Sequence, residues 1–172
     1  MTLSSWKEHY WHGVNCTRSR IEEIVKRAKS MKAYKVLEVG CNEGFLSQAL
    51  IESGFHVTSI DNDPTMVARA KDVFGINAML EDANDLPFMD GEFDLVVGGE
   101  VMEHLVNPGK GLSEMFRVSN NRVIISIPIG EYWLGESTHR WQIESTVVEH
   151  DEGLKTELDK KILIIEFIKR KQ

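Results

Sequence analysis

The sequence predicts an α/β protein in which a doubly wound, mostly parallel seven-stranded sheet ends in an antiparallel C-terminal hairpin. Strand and helix signals alternate along the chain, as expected for a parallel sheet covered on both faces. The segments KVLEV and RVIISI are almost continuously apolar, as strands buried on both faces must be. The tail LKTELDKKILIIEFIKR is typical of two strands joined by a turn near Asp159, and this hairpin would add the antiparallel edge strand.

The first half of the chain is predicted to hold three helices and three strands after an aromatic, irregular segment at residues 1–16. Thr17 is a candidate N-cap for a first helix over residues 18–31. Glycine and Asp-Pro signals bound the later elements. On these signals we expect strands at 35–39, 55–60 and 78–80, a helix at 43–53 ended by Gly54, and a helix begun by Asp63-Pro64 that stops at Gly75.

The second half continues with the loop DLPFMDGEF and a fourth strand at 93–97. Asn107-Pro108 should break a short helix at 101–105, and a longer helix should follow at 109–119. We expect a central strand at 122–127 closed by Pro128, a loop over IGEYWLGESTHRW, a brief helical turn near 143–150, and then the two tail strands.

Length and composition indicate one globular domain with a sizeable core, because 42% of the 172 residues are hydrophobic. We divide it into an N-terminal cap and helix at 1–33, a cofactor-binding core at 34–128, a lid region at 129–150 and a C-terminal hairpin at 151–172. The formal net charge of -7 disfavours indiscriminate nucleic-acid binding, since an acidic surface repels phosphate backbones.

Cysteine usage and hydropathy favour a cytoplasmic protein. Cys16 and Cys41 suggest no disulfide framework, which suits a reducing cytosol. The N-terminus lacks a basic segment followed by an apolar run, so we expect no signal peptide. The most apolar run, residues 162–168, contains Glu166 and is too short to span a bilayer, so we expect no membrane partner.

A glycine-rich turn, EVGCNEG, lies where the first strand ends and the next helix opens, which is where open parallel sheets bind ligands. Gly40 can adopt a positive φ and let the backbone approach a ligand, and Asn42 is the non-glycine residue that best tolerates such geometry. We expect Gly44 to allow close packing of the helix on the strand, and Glu38 to reach toward the ligand. The alternative is an ordinary strand-to-helix turn.

The acids beside this turn argue against a phosphate ligand. The spacing G-x-N-x-G is one residue shorter than the dinucleotide fingerprint G-x-G-x-x-G. Glu38 and Glu43 would repel a pyrophosphate at the helix N-terminus. They suit a ligand that carries a positive charge, an amine or hydroxyl groups.

Two more acids follow the next strands. Asp61 ends the second strand, where an acid can accept hydrogen bonds from ribose hydroxyls, and Asp63 already fills the role of helix cap. Asp82 follows the third strand and could accept from an exocyclic amine, with the Ala83 backbone beside it; otherwise Asp82 is a solvated loop acid. Together these strand ends would hold an adenosine that carries no phosphate.

Four segments in this order resemble the motifs of class I (Rossmann-like) S-adenosylmethionine-dependent methyltransferases. VLEVGCNEGFLSQAL resembles the first motif, with Asn42 in place of its usual middle glycine, and VTSIDNDPTMVARA resembles the ribose-binding motif. EDANDLPFMDGEFDLVVGGEVMEHL resembles the adenine-site loop, fourth strand and following helix, and RVIISIP resembles the fifth strand. The resemblance covers about residues 34–128.

The resemblance implies S-adenosylmethionine as cofactor. Gly40 and its neighbours would contact the methionine part, Asp61 the ribose hydroxyls, and Asp82 with Ala83 the adenine. Gly98, Gly99 and Glu100 would line the donor site. The full expected set is Glu38, Gly40, Cys41, Asn42, Gly44, Asp61, Asn62, Asp82, Ala83, Gly98, Gly99 and Glu100.

Methyl transfer from a sulfonium is an in-line displacement, in which alignment of the acceptor supplies much of the catalysis. His104 in EVMEHL is the best candidate for a general base, because histidine titrates near neutrality. Glu103 and His139 complete the catalytic candidates. The alternative is that Glu103 and His104 only shape the pocket or cap a short helix.

A metal-binding alternative combines the same residues. Glu100, Glu103 and His104 would share one helical face at i, i+3 and i+4, and His139 would complete a two-Glu, two-His set. This set resembles that of the RNA 3′-terminal 2′-O-methyltransferases. The acidic chain and the absence of an added RNA-binding domain count against RNA, so we assign no metal.

The acceptor pocket should come from an aromatic lid. Its candidates are Tyr10, Trp11, His12, Tyr132, Trp133, His139, Arg140 and Trp141, although several could simply cover the edge of the sheet. So small a lid favours a small-molecule acceptor.

Two other classes of protein remain as alternatives. One is a non-catalytic module that binds S-adenosylmethionine or S-adenosylhomocysteine (SAH). The other is a nicotinamide-dependent oxidoreductase, which the acids flanking the glycine turn and the antiparallel tail disfavour.

Overall fold

The computed structural model of the chain describes residues 15–129, 154–158 and 162–168. Within these ranges four α-helices pack on one sheet: α1 Asn15–Ser30, α2 Phe45–Glu52, α3 Pro64–Phe74 and α4 Pro108–Val118. The strands are β1 Lys35–Val39, β2 His56–Asp61, β3 Met79–Leu80, β4 Phe93–Gly99, β5 Ser119–Pro128, β6 Leu154–Leu158 and β7 Ile162–Ile168. A 3₁₀ turn at Met102–His104 follows β4.

The sheet is doubly wound, with the strand order β3-β2-β1-β4-β5-β7-β6. The strands from β3 to β5 in that order are parallel, whereas β7 runs antiparallel to both β5 and β6. The predicted fold class, with its antiparallel C-terminal pair, is confirmed. Because the strand order reverses between β1 and β4, the carboxyl ends of these strands border the crevice where such sheets bind ligands.

Apolar residues fill both faces of the sheet. In β1, Val36 packs with α1 and α2, whereas Leu37 lies in the cluster of the opposite face with α4. In β5, Ile124 and Ile125 divide in the same way. Successive strand residues point to opposite faces, so a strand covered by helices on both sides needs apolar residues at every position.

The start and stop signals of α3 act as predicted. The carboxylate of Asp63 accepts a hydrogen bond from the backbone amide of Thr65 at 2.7 Å, and Pro64 is the first residue of the helix. Gly75 ends α3 with a φ of 72°. Both signals are local, which is why the sequence alone identified them.

The Asn107-Pro108 pair, predicted as a break, also begins α4. The Asn107 side chain accepts from the backbone amide of Lys110 at 3.0 Å, and Pro108 is the first helical residue. The short helix predicted at 101–105 is instead a 3₁₀ turn at Met102–His104, which ends where Leu105 becomes extended.

Two predicted helix starts are wrong. Helix α1 begins at Asn15, so Thr17 lies inside its first turn and does not cap it. Neither glycine nor proline occurs at residues 15–17, so these residues accept the helical backbone that begins at Asn15. Helix α2 begins at Phe45 rather than at residue 43, because Asn42 and Gly44 adopt φ angles of 50° and 89° that no right-handed helix accepts.

The predicted division of the domain stays a prediction. Residues 1–14, much of the expected cap, and residues 130–150, most of the expected lid region, lie outside the described residues, as does the helical turn near 143–150. Both tail strands are present as β6 and β7. No helix in the described ranges combines the length and apolar character needed to cross a membrane.

A buried ion-pair network fastens α1 to the sheet. The Arg27 guanidinium lies 3.0 Å from a carboxylate oxygen of Glu23 and 3.6 Å from one of Glu166 on β7. Glu166 also pairs with Arg122 on β5. One carboxylate therefore joins α1 to two strands, and the preceding turns of α1 extend toward the carboxyl end of β4.

Candidate active site

The glycine turn folds back on the end of β2. The backbone amides of Gly40 and Cys41 both donate to the carbonyl of Ile60 at 2.9 Å. Gly40 has a φ of 73° and Asn42 a φ of 50°, so both positive angles predicted for this turn are confirmed. A Cβ at Gly40 would lie 2.6 Å from a methyl of Val101, so glycine is also required by contact with the segment after β4.

Gly44 is needed for a different reason from the one expected. A Cβ there would lie 2.8 Å from Ile76 Cδ1 and 3.4 Å from Ala70 Cβ. These neighbours belong to α3 and the segment that follows it, so the close contact at Gly44 is with α3 rather than with the strand. Its φ of 89° separately favours glycine.

Asp61 ties the end of β2 to the glycine turn. One carboxylate oxygen accepts from the backbone amide of Asn42 at 2.8 Å, and the other accepts from that of Asp63 at 2.9 Å. Asn62 is exposed beside it. A carboxylate offers roughly four acceptor positions, so Asp61 retains capacity for two further donors such as ribose hydroxyls.

The end of β3 lies next to Asp61, because the amide of Glu81 donates to the Asp61 carbonyl at 3.0 Å. Asp82 is exposed, and one of its carboxylate oxygens accepts from the amide and side chain of Asn84 at 2.8 and 3.0 Å. The Ala83 side chain is buried in the core. The structure thus brings the turn, Asp61 and Asp82 to one edge of the sheet, as the strand order requires.

Glu38 lies buried and accepts a hydrogen bond from the Ser47 hydroxyl of α2. Ser47 shares a further hydrogen bond of 2.6 Å with Ser59 of β2. Burial raises the pKa of Glu38 to about 8, even though the Ser47 hydrogen bond and the charge of Arg20 lower it; nearby Asp61 contributes to the rise. Glu38 therefore braces β1 against α2 and β2; its predicted reach toward a ligand stays a prediction.

Cys41 is a packing residue in this turn. Its side chain is buried with Ala70 and Ile76, and its thiol lies 3.6 Å from the Asn42 carbonyl. Burial raises the pKa of the thiol well above its ordinary value, so the group stays neutral.

At the end of β4, Gly98 is required by protein packing. A Cβ there would lie 2.9 Å from Val101 Cγ1 and 3.0 Å from Met115 Cε. At Gly99 the same atom would make ordinary contacts of 3.5 Å or more. Both residues were expected to line the donor site, and that role stays a prediction.

Glu100 has a left-handed backbone with a φ of 55°, which is uncommon for a residue with a side chain. Its amide donates to the Ser126 carbonyl at 3.0 Å, which holds the bend against β5. This bend leaves only Met102–His104 helical, so the predicted helical face shared by Glu100, Glu103 and His104 is wrong.

Arg20 of α1 lies beside the candidate site, although the sequence did not indicate it. It forms an ion pair with Glu100, and its charge lowers the pKa of both Glu38 and Glu103. Arg20, Ile24 and Arg27 fall on one stripe of α1 at i, i+4 and i+7. A positively charged residue on the buried face of a predicted helix is the sequence signal that would have indicated Arg20.

Glu103 and His104 lie in different environments. Glu103 is 0% exposed, and neither of its carboxylate oxygens meets a donor of another described residue. Burial raises its pKa to about 7. His104 is exposed, with its backbone amide donating to the Val101 carbonyl at 3.0 Å.

The described part of the chain contains no group of three or more His, Cys, Asp or Glu side chains placed to hold a metal ion. His139, the proposed fourth ligand, lies outside the described residues, as do the lid candidates Tyr10, Trp11, His12, Tyr132, Trp133, Arg140 and Trp141.

The family model described as "Methyltransferase domain" matches residues 37–127. Malonyl-acyl-carrier-protein O-methyltransferase of Erwinia billingiae is 30% identical over 100 residues, which are 58% of this chain and 40% of that protein. The chloroplastic tocopherol O-methyltransferase of Arabidopsis thaliana is 32% identical over 116 residues, which are 62% of this chain and 33% of that protein. The chain thus spans less than half the length of these relatives.

Solved structures agree on the fold. The crystal structure of magnesium protoporphyrin IX methyltransferase from Synechocystis with bound SAH matches with a TM-score of 0.72 at 17% sequence identity. The match covers 90% of this chain and 83% of that one. At this identity the likeness concerns the fold alone.

Proposed function

The chain belongs to the methyltransferase domain family, and on that premise we propose that it transfers a methyl group from S-adenosylmethionine to a small-molecule acceptor. The observation that carries the proposal is the Asp61 carboxylate. It bridges the glycine turn and the start of α3 at the carboxyl end of β2, the strand that pairs with β1 beside the crevice, and it keeps acceptor capacity for two hydroxyl groups.

The residues present fit this cofactor. Asp61, with Asn62 beside it, would hold the ribose, Asp82 and the Ala83 backbone the adenine, and Gly40, Cys41 and Asn42 the methionine part. Glu100 keeps a buried carboxylate oxygen without a hydrogen-bond partner in the described part of the chain. Asp61 and Asp82 present carboxylates with remaining acceptor capacity at this edge, which suits a ligand with hydroxyl groups and an amine.

When bound, S-adenosylmethionine supplies a methyl group already activated as a sulfonium. The chain then has to align the acceptor and exclude water. His104 is exposed next to this edge and is our candidate base, while burial raises the pKa of Glu103 to about 7. Arg20 holds Glu100 in place through their ion pair. His139 remains a catalytic candidate from the sequence.

A small-molecule acceptor is supported by the relative whose name specifies tocopherol. The name of the other relative specifies a malonyl group, which is small but is carried on acyl-carrier protein. The net charge of -7 argues in the same direction, because a polyanionic acceptor would be repelled.

The proposal is tested by calorimetric titration with SAH, with and without magnesium or manganese. Asp61→Ala should weaken binding at least about tenfold, because ligand hydroxyls lose a charged acceptor. Asp94→Ala is the matched control, since Asp94 likewise accepts two backbone amides, those of Tyr34 and Lys35, at the opposite end of the strands. Equal affinities in the two variants would remove Asp61 from the site.

The same titration separates the alternatives. Three buried oxygens of Glu100 and Glu103 have no hydrogen-bond partner among the described residues, so a bound cation is a specific possibility. A stoichiometric metal site would turn the acceptor screen toward RNA 3′ ends. Tight SAH binding without turnover on any acceptor would favour a non-catalytic module, and absence of SAH binding would contradict the proposal.

A further inference from the structure

The β3–β4 loop, residues 81–92, carries Asp82 and leads into β4. It makes a series of polar contacts with α4, a helix that contributes no predicted site residue. These contacts come from Glu114 and Arg117, whose side chains engage the loop backbone rather than other side chains alone.

One ion pair satisfies both backbone groups of Leu86. A Glu114 oxygen accepts from the Leu86 amide at 2.9 Å, and Arg117 Nη2 donates to the Leu86 carbonyl at 2.8 Å. Arg117 Nη1 also donates to the Phe88 carbonyl at 2.7 Å and to Asp90 at 3.0 Å. The loop backbone is therefore fastened at Leu86 and at Phe88 to one guanidinium.

The pair itself is held in a planar, two-bond geometry. Arg117 Nε and Nη2 each lie 2.8 Å from a different oxygen of Glu114. These bonds lower the pKa of Glu114 and raise that of Arg117, so both groups stay charged across the physiological range. Lysine cannot reproduce this fork, because its ammonium group is a single point donor.

A single turn connects Leu86 to Asp82, so fixing Leu86 restricts where Asp82 lies. The amide of Asp85 donates to the Asp82 carbonyl at 3.0 Å, which closes residues 82–85. One helical turn before Glu114, a Cβ at Gly111 would lie 3.8 Å from the Ala83 carbonyl, so α4 also approaches the first half of the loop. The α4 residues at positions 111, 114 and 117 therefore lie alongside the loop.

We propose that Arg117, together with Glu114, is a positioning residue for adenine recognition: it sets the place of Asp82 by fastening the β3–β4 loop to α4. The inference rests on the proposed function, in which Asp82 accepts from the exocyclic amine of the cofactor. Arg117 itself touches no ligand; it acts through the loop backbone.

The test compares affinities for SAH and for S-inosylhomocysteine, which has a carbonyl in place of the exocyclic amine. A hydrogen bond to a carboxylate is worth roughly a factor of ten or more, so the full chain should prefer SAH by about that factor. Arg117→Gln and Arg117→Lys should each reduce the preference to less than about threefold, matching Asp82→Asn. A general loss of stability would weaken both ligands without changing their ratio.

Arg122→Gln is the matched control, because Arg122 pairs with the Glu166 carboxylate on β7, away from the loop. It should keep the wild-type preference. An unchanged preference in both Arg117 variants, or an equal loss in Arg122→Gln, would overturn the inference. If the unaltered protein binds SAH and S-inosylhomocysteine equally, the adenine role of Asp82 fails and the inference with it; if it binds neither, the proposed function itself fails.

Discussion

Gly40 and Gly75 have nearly the same backbone conformation, with φ angles of 73° and 72°, but different surroundings. A Cβ at Gly40 would lie 2.6 Å from a methyl of Val101, whereas nothing lies within 4 Å of a Cβ at Gly75. The pair therefore separates two costs of a side chain: left-handed strain and steric overlap.

We expect Gly75→Ala to lower the free energy of unfolding by about 1 kcal/mol, the cost of left-handed backbone for an L-residue. Gly40→Ala should lower it by about 1–3 kcal/mol more, because Val101 must move. Urea unfolding of both variants measures the difference. Equal losses of unfolding free energy in the two variants would mean that the segment after β4 moves without energetic cost to accommodate the added methyl group.

At this scale the sequence predicted backbone conformations better than contacts. The left-handed geometry of Gly40 and Asn42 follows from residue type, and both angles are confirmed. The contact of Gly44 with α3 was not predicted, and Arg20 was not identified as a residue beside the site. Both omissions concern a neighbour distant in the chain, which residue type does not reveal.

Among the elements, α1 makes a contribution to the candidate site, and the sequence did not reveal this contribution. It places Arg20 against Glu100 at the carboxyl end of β4, and the Arg27–Glu166 contact holds the same helix on the sheet. The helix was predicted from its apolar face, but its charged residues on that face decide what it does at the site.

Removing Arg20 should destabilise the protein because Glu100 would keep a largely buried, unpaired charge. Arg20→Gln is expected to lower the free energy of unfolding by about 2–3 kcal/mol, and Arg20→Gln/Glu100→Gln should recover at least about 1 kcal/mol of this. Urea unfolding of the single and double variants measures both effects.

The control lies on the same helix. Arg18 pairs with Glu22, and both side chains are 55% exposed, so Arg18→Gln should cost less than about 0.5 kcal/mol. Additive losses in the Arg20 and Glu100 variants would show that their pairing contributes nothing beyond the two side chains separately.

For the whole molecule, two buried acids make stability depend on pH. Burial raises the pKa of Glu38 from 4.5 to about 8 and that of Glu103 from 4.5 to about 7. Between pH 4.5 and the raised pKa of each acid, the folded chain binds more protons than the unfolded chain. The contribution of these two groups to the free energy of unfolding is therefore greatest below about pH 4.5 and is lost as pH rises toward 8.

We therefore expect the free energy of unfolding to fall between pH 5 and pH 8, by at most about 1.4 kcal/mol per pH unit for each extra proton bound. Glu38→Gln should flatten the profile up to pH 8, and Glu103→Gln mainly up to pH 7. Urea unfolding at several pH values measures the slopes. Variants that retain the full wild-type slope of unfolding free energy against pH would show that these acids ionise without a free-energy cost from burial.

The sequence by itself determined the alternation of strands and helices, the caps of α3, the left-handed turn after β1 and the acids at the strand ends. These features depend on periodicity and on backbone preferences within a few residues. Only the tertiary structure decided that Arg20 meets Glu100, that Glu103 is buried with no donor from another described residue while His104 is exposed, and that Arg117 fastens the β3–β4 loop. Those contacts join residues distant in the chain or depend on how elements pack, and packing is settled by the whole core at once.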